Sequence, residues 1–267
     1  MEFSIVVPVY NEAGNVRPLL TEIDQAVQGS GGREVIYVDD GSDDDTLSEL
    51  RQAMVDFSAL RVLHHPRRGG QSSALLTGVR AARCRWVVTL DGDGQNNPTD
   101  IFLLLNRLRE ESETARALMI IGHRTRRRDS LVRCWSSRIA NAVRRGLLKD
   151  GTPDTGCGLK LFPRDLLLSL PAFDHMHRFL PALAQRQGAR VISVPVGHRA
   201  RRRGLSKYGV RNRLWAGLVD MAGVMWLQRR RIGASDRRDG MLSRIEDELG
   251  VYWLRRRPCM VSAKEEG

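Results

Sequence analysis

Aromatic residues are scarce in this chain: Phe, Trp and Tyr together make up 6% of it. Nucleic-acid grooves that grip bases rely on such rings, so their scarcity weighs against that class of partner. The four cysteines, Cys84, Cys134, Cys157 and Cys259, never stand in Cys-x-x-Cys spacing, and the six histidines are not paired with them in a zinc pattern. A reduced, cytosolic chain without structural zinc is the expectation. No Gly-x-Gly-x-x-Gly follows an apolar run and no Gly-x4-Gly-Lys-Ser/Thr occurs, so the usual dinucleotide and P-loop cradles are missing. Met1-Glu2-Phe3-Ser4 lacks the basic region and apolar core of a secretory leader, which predicts a protein that stays inside the cell. The apolar stretch Leu214 to Leu227 has 14 residues, short of the roughly 20 that cross a bilayer.

What is present in excess is positive charge. Lys and Arg number 43 against 31 Asp and Glu, a net charge of +12. Such a balance implies an anionic partner: nucleic acid, a phosphorylated substrate or an acidic membrane surface. Hydrophobic content of 42% and charged content of 28% are ordinary for a globular chain, and 267 residues accommodate one large α/β domain with a tail.

Apolar β-rich runs alternate with helical periodicity. Phe3 to Val9 reads as a strand, and Val16, Leu19, Leu20, Ile23 and Val27 recur at helical spacing. Glu34 to Val38, Leu60 to Leu63, Trp86 onward and Ala117 to Ile121 read as further strands, with helices ending near Phe57, over Ser72 to Ala82 and from about Thr99 to Glu111. This rhythm predicts an α/β fold, a mostly parallel sheet with helices on both faces. Four strands then end in polar groups at one edge, where open α/β sheets bind ligands: Tyr10 to Glu12, Asp39 to Asp40, Asp91 to Gln95 and His123 to Arg124. Asp91 and Asp93, one residue apart, can turn their oxygens on one hard cation completed by substrate phosphates. An Asp-Gly turn with no ligand is the plainer alternative for that segment. Carboxylates after the first two strands suit the edge of a base or a ribose hydroxyl.

Val7-Pro8-Val9-Tyr10-Asn11-Glu12, Val38-Asp39-Asp40-Gly41-Ser42, Gly69 to Gly78, Asp91-Gly92-Asp93-Gly94-Gln95 and Gly122-His123-Arg124 resemble, in order and spacing, the motifs of the family-2 inverting glycosyltransferases of GT-A fold. More narrowly, residues 3 to 210 are similar to the polyprenol-phosphate sugar transferases, of which dolichol-phosphate mannose synthase is the best-known member. The resemblance implies that Pro8, Tyr10, Glu12, Val38 and Asp40 contact the nucleoside of a GDP- or UDP-hexose. It implies that Asp91, Gly92, Asp93 and Gln95 meet the diphosphate, with Asp91, Asp93 and Gln95 holding Mg or Mn, and that Arg124 lies near the phosphates. Arg133, Ser137 and Asn141, four apart, share one helix face, and the family presents Arg and Ser there to the acceptor phosphate. Thr155 and Gly156 match the acceptor-side segment that approaches the sugar. Arg201 and Lys207, in the stretch ending Gly204-Leu205-Ser206-Lys207-Tyr208, match a basic flap over the diphosphate.

A lipid phosphate is already anionic at neutral pH, so this acceptor needs cations rather than a general base. Arg124, Arg133, Arg201 and Lys207 suit it, and the region from His175 to Gln187 holds no carboxylate, unlike hydroxyl-accepting relatives. Leu214 to Leu227, with Trp215 and Trp226 and arginines on both flanks, suits a helix lying in a membrane interface. Packing on the catalytic domain, a membrane-protein partner or a homo-oligomer contact are the other readings. The expected organisation is a catalytic domain over 1–208, an apolar helical segment over 209–232 and a charged tail over 233–267 containing a helix from Met241 to Leu254. The function so implied is transfer of a mannose- or glucose-type hexose to polyprenyl phosphate by a peripheral enzyme on the cytoplasmic membrane face. A glycan or glycolipid hydroxyl as acceptor, and a basic nucleic-acid-binding or non-catalytic scaffold protein suggested by Arg126 to Arg128 and Arg255 to Arg257, are the competing readings. The acidic cleft argues against nucleic acid.

Overall fold

A computed structural model of the protein describes residues 2–28, 33–111, 117–125, 146–148, 150–200 and 210–230. Among them, strands β1 (Phe3–Val9), β2 (Arg33–Asp39), β3 (Leu60–His64), β4 (Trp86–Thr89), β5 (Leu118–Arg124), β6 (Lys160–Pro163) and β7 (Arg190–Val196) form one sheet. Its order is β3-β2-β1-β4-β6-β5-β7. Strands β1 to β4 are parallel, β5 pairs parallel with β7, and β6 runs antiparallel between β4 and β5. The helices are α1 (Val16–Val27), α2 (Thr46–Asp56), α3 (Gln71–Ala81), α4 (Ile101–Glu110), α5 (Arg164–Ser169), α6 (Leu180–Arg186) and α7 (Val210–Arg229).

The strands are continuous apolar runs because both faces of the sheet are covered. Phe3, Ile5, Val7 and Val9 of β1 enter one core with Leu19, Leu20 and Ile23 of α1 and Leu104 and Leu105 of α4. Val6, Ile36, Val38 and Val87 enter the other, against Ala74, Leu75 and Val79 of α3. Gly78 sets the approach of α3: a Cβ there would overlap the Val6 side chain and stand 3.0 Å from Val38 Cγ2.

The mostly parallel sheet agrees with the sequence reading; its far side does not follow from it. Strand β5 runs to Arg124 rather than ending at Ile121, because β7 pairs with its whole length, matching Arg124 to Val196. Neither β6 nor β7 is foreseen: four residues of β6 carry no periodicity, and β7 looks like any short apolar run. Helix α4 begins at Ile101, after a 3-10 turn over Pro98–Asp100 in which the Asn97 side chain accepts from Thr99 N.

By internal contacts the chain divides into a unit from Met1 to Arg229 and a second from Arg230 to Gly267. Helix α7, set apart at 209–232 by sequence, packs with the first. Val224 and Met221 are buried, Arg186 Nε donates to the Leu227 carbonyl at 2.8 Å and Gln228 Nε2 to that of Leu148 at 3.0 Å. Asp220, which interrupts the apolar run, lies 3.0 Å from His175 Nδ1. Val219 and Trp226 remain exposed on the other side. No helix among the described residues is long and apolar enough to cross a membrane.

Two buried polar groups have opposite consequences for stability. Glu34, at the amino end of β2, accepts from Ser4 Oγ at 2.8 Å, from Arg83 N at 2.6 Å and from the Arg61 guanidinium. Burial by itself would raise its pKa; the Arg83 amide, Arg61 and Ser4 outweigh that and hold it below the ordinary value. A depressed folded pKa gives stability that is complete above the unfolded value and lost as pH falls through the folded one. Glu34→Gln is therefore expected to cost about 1.5–3 kcal/mol at pH 7, with the gap to wild type closing below about pH 4, as urea denaturation at both pH values would read. The Tyr37 hydroxyl, by contrast, is fully buried without a hydrogen-bond partner. Tyr37→Phe removes that orphan and is expected to add about 1 kcal/mol, a melting point higher by about 2–4 °C.

Candidate active site

The carboxyl ends of β1, β2, β4 and β5, and the start of antiparallel β6, meet at one edge of the sheet. On the β1–β2 side, hydrogen bonds zip two loops together. Asn11, at φ 52°, pairs its side chain with Asp43, and its amide donates to Ser42 Oγ at 2.9 Å. Glu12 is buried; its amide donates to Thr46 Oγ1 and its carboxylate accepts from Asn15 Nδ2, both at 2.8 Å. Asp40, also buried, accepts from Gly69 N at 2.8 Å and Gly70 N at 2.7 Å and pairs with His65 Nδ1 at 2.9 Å. Asp39 pairs with His64 Nδ1 at 2.8 Å. In this arrangement Glu12 and Asp40 shape the loops that frame the cleft. Val38 is fully buried in the core against α3, so a nucleoside would meet its backbone rather than its side chain. Tyr10 and Pro8 are half-buried at the edge, and the Arg68 guanidinium lies 4.1 Å from the Tyr10 ring centroid, a cation–π contact.

At the centre, β4 delivers Asp91. Gln71, the first residue of α3, donates from Nε2 to Asp91 Oδ1 at 3.0 Å. Desolvation first, then the charge of Asp93, pushes Asp91 up to about 6 against the pull of Lys160 and Arg124. Gly92 lies flat on β1, where a Cβ would overlap Val9. Asp93 Oδ1 accepts the Gln95 amide at 3.2 Å, and Gln95 Nε2 stands 3.5 Å from the Arg199 carbonyl. Two neighbouring carboxylates, one of them costly to ionise, fit a divalent cation. Among the described residues no third His, Cys, Asp or Glu joins them in a metal-sized cluster. Two carboxylates are the share a protein contributes where a hard cation is otherwise completed by substrate phosphates.

On the β5–β6 side, Arg124 makes a two-pronged bond with buried Asp154, Nε to Oδ2 at 2.6 Å and Nη2 to Oδ1 at 2.9 Å. Burial works against its charge, and the Asp154 bonds more than offset that. Its cation is thus matched within the protein and aimed by Asp154. Gly156 is exposed beside Arg124 Nη2, and Thr155 is buried. Lys160, buried, donates to the Cys157 carbonyl, and desolvation holds its pKa below the ordinary value. Gly158 runs against Asp91 with no room for a side chain. Asp174, one residue before the carboxylate-free region read from sequence, is exposed, its Oδ1 3.3 Å from where a Cβ of Gly70 would stand.

Sequence reasoning missed Gln71, Arg68, Gly158, Lys160 and the pairs His64–Asp39, His65–Asp40 and Arg124–Asp154. Gln71, Gly158 and Lys160 lie within matched segments but carried no individual role, and the pairs join positions whose meeting no local pattern announces. Arg133, Ser137, Asn141, Arg201 and Lys207, with Arg126 to Arg128 and the expected helix from Met241 to Leu254, lie outside the described residues.

Comparison with known proteins bears on the family and the fold. The family model Glycosyl transferase family 2 matches residues 4–170. A dodecaprenyl-phosphate galacturonate synthase of Rhizobium johnstonii is 34% identical over 234 residues, 86% of this chain and 68% of that protein. An undecaprenyl-phosphate 4-deoxy-4-formamido-L-arabinose transferase of Pseudomonas paraeruginosa is 34% identical over 209 residues, 77% of this chain but 60% of that protein. The chain thus spans about two thirds and three fifths of these relatives. Two crystal structures of glucosyl-3-phosphoglycerate synthase from Mycobacterium tuberculosis share the fold, each with a TM-score of 0.61. One, with Mn2+, UDP and phosphoglyceric acid, is 23% identical and overlaps 85% of this chain and 78% of that one. The other, with Mg2+ and UDP, is 22% identical and overlaps 85% and 79%.

Proposed function

The chain belongs to glycosyl transferase family 2, and from that premise we propose that it moves a sugar from a nucleotide sugar to the phosphate of a polyprenyl lipid, with inversion. The observation that carries the transfer is the Asp91-Gly92-Asp93 turn at the carboxyl edge of the sheet, two adjoining carboxylates in want of a cation. What supports the acceptor is the pair of relatives whose names give dodecaprenyl and undecaprenyl phosphate. Asp91 and Asp93, with Gln95, would hold Mg or Mn, which when bound neutralises the leaving diphosphate. Tyr10 and Arg68 offer a stacking platform for the base, beside Pro8 and the backbone of Val38. Arg124, held by Asp154, presents its remaining donors near the phosphates, and Thr155 and Gly156 border the sugar. An anionic phosphate nucleophile brings no proton to remove, so none of these groups has to act as a base. Arg133 and Ser137 would meet the acceptor phosphate, and Arg201 and Lys207 the diphosphate.

The exposed Val219 and Trp226 of α7, followed by Arg229, suit an anionic membrane surface on the cytoplasmic face. The resemblance favours a mannose- or glucose-type hexose, while the relatives' names specify galacturonate and formamido-arabinose. A sugar hydroxyl as acceptor is the second reading, favoured by exposed Asp174 beside Gly70, a carboxylate such an acceptor would use as base. The test is incubation of the purified chain with UDP-glucose, GDP-mannose and UDP-galacturonate, each with undecaprenyl phosphate, dolichyl phosphate or an alkyl glucoside, with and without Mn. Label in a polyprenyl phosphate is expected; label confined to the glucoside overturns the lipid reading.

A further inference from the structure

The segment from Asp91 to Asn97, which bears Asp93 and Gln95, has no helix or strand of its own to hold it. Something from outside must set its position, and the geometry points to Arg199 as that positioning residue. Arg199 follows β7, a strand at the far edge of the sheet. Its amide donates to the Gln95 carbonyl at 2.9 Å, and its own carbonyl lies 3.5 Å from Gln95 Nε2, so the two residues face each other through main chain and side chain. The guanidinium then forks. Nη2 donates to Asn97 Oδ1 and Nη1 to Glu22 Oε2 of α1, each at 2.6 Å. Asn97 Oδ1 also accepts from Thr99 N, which anchors the 3-10 turn leading into α4, and Gly197 N donates to Asp100 Oδ2 at 2.8 Å.

The result is a strap: the planar cation ties the exit of β7 and helix α1 to Asn97, just after the Asp93–Gln95 segment, while the Arg199 main chain holds Gln95 itself. Arg199 and Glu22 are half-buried, with side chains 35% and 25% exposed, so the pair is shielded more than a surface ion pair and its geometry is fixed by two acceptors at once. Lysine has a single ammonium and cannot reproduce a fork that reaches Glu22 and Asn97 from opposite nitrogens. The role is distinct from binding: Arg199 acts on the cation and diphosphate only through where it holds Asp93 and Gln95. Displacing a binding group by about 1 Å is enough to cost two orders of magnitude in a reaction that depends on alignment.

This inference rests on the reading of Asp91 and Asp93 as the cation-holding pair. The test measures cation binding directly, as the rise in melting temperature on titrating Mn in the presence of UDP, and in parallel the Mn dependence of turnover. Arg199→Ala is expected to raise the Mn concentration for half-effect by about tenfold in both, Arg199→Lys by less, and Glu22→Gln by severalfold, with the Arg199→Ala/Glu22→Gln double variant no worse than Arg199→Ala alone. Circular dichroism and the melting point without Mn report whether a variant merely unfolds. A half-effect concentration within twofold of wild type in folded Arg199→Ala overturns the strap. A wild-type protein that shows no Mn-dependent shift overturns the cation reading and this inference with it.

Discussion

Asp91→Asn should abolish sugar transfer and, without metal, make the protein harder to unfold. The two effects share a cause. The Asp91 carboxyl is pushed up to about 6 because it is desolvated and stands beside Asp93. A carboxyl whose folded pKa exceeds its unfolded value near 3.9 costs stability whenever it is ionised: its contribution is most favourable below pH 4 and is lost as pH rises through 6. A shift of two pKa units corresponds to about 3 kcal/mol at most, and since Asp91 is only half-buried about 1–2 kcal/mol is the reasonable expectation at pH 7.5. Asparagine keeps the shape and an oxygen for Gln71, and removes the charge. The variant should melt a few degrees higher without metal, show no stabilisation by Mn with UDP, and lose roughly 10³-fold or more in turnover. The same titration is expected to weaken the proposed Mn binding as pH falls below 6, read as a smaller Mn-dependent melting shift. A variant that is fully active, or one that melts well below wild type, would refute the placement of Asp91 at a strained, cation-seeking position.

Gly158→Ala is the second large effect, and it tests a contact rather than a ligand. A Cβ on Gly158 would overlap the Asp91 carboxylate, and even the farther oxygen would be 2.6 Å away. Gly158 has no need of a left-handed backbone; glycine is required for room alone. The residue cannot retreat easily, because it precedes β6 between β4 and β5 and its carbonyl accepts from Thr89 Oγ1 at 2.6 Å. Asp91 must move instead, out of the position in which Gln71 holds it. Turnover should fall by about 10²-fold with weaker Mn binding, while circular dichroism stays as in wild type. Unchanged kinetics would mean that Asp91 does not act from the position in which Gly158 confines it.

The half of the molecule read correctly from sequence is the half with local signals. The apolar runs of β1, β2 and β4 and the helical spacing of Val16 to Val27 announce parallel strands and covering helices, and parallel strands must discharge their last residues at one edge. That Tyr10, Asp40, Asp91 and Arg124 share an edge follows from those patterns. The far side was not legible for a physical reason: β6 is four residues with no periodicity, and the extension of β5 to Arg124 exists only because β7 pairs beside it. Reading His175 to Gln187 as free of carboxylates was true of the letters, yet Asp174 immediately before it reaches Gly70 across about a hundred residues of chain.

Sequence alone therefore determined the fold class and the placement of two aspartates at the end of a buried strand, because these depend on short-range periodicity and on order along the chain; the family came from the resemblance of its motifs. Tertiary structure decided what each polar group does next: that Asp154 holds Arg124, that Gln71 and Gly158 confine Asp91, that Arg199 and Glu22 strap the Gln95 segment. Those assignments depend on which distant charges meet in a space too dry to leave them unpaired, and such meetings are written in three dimensions.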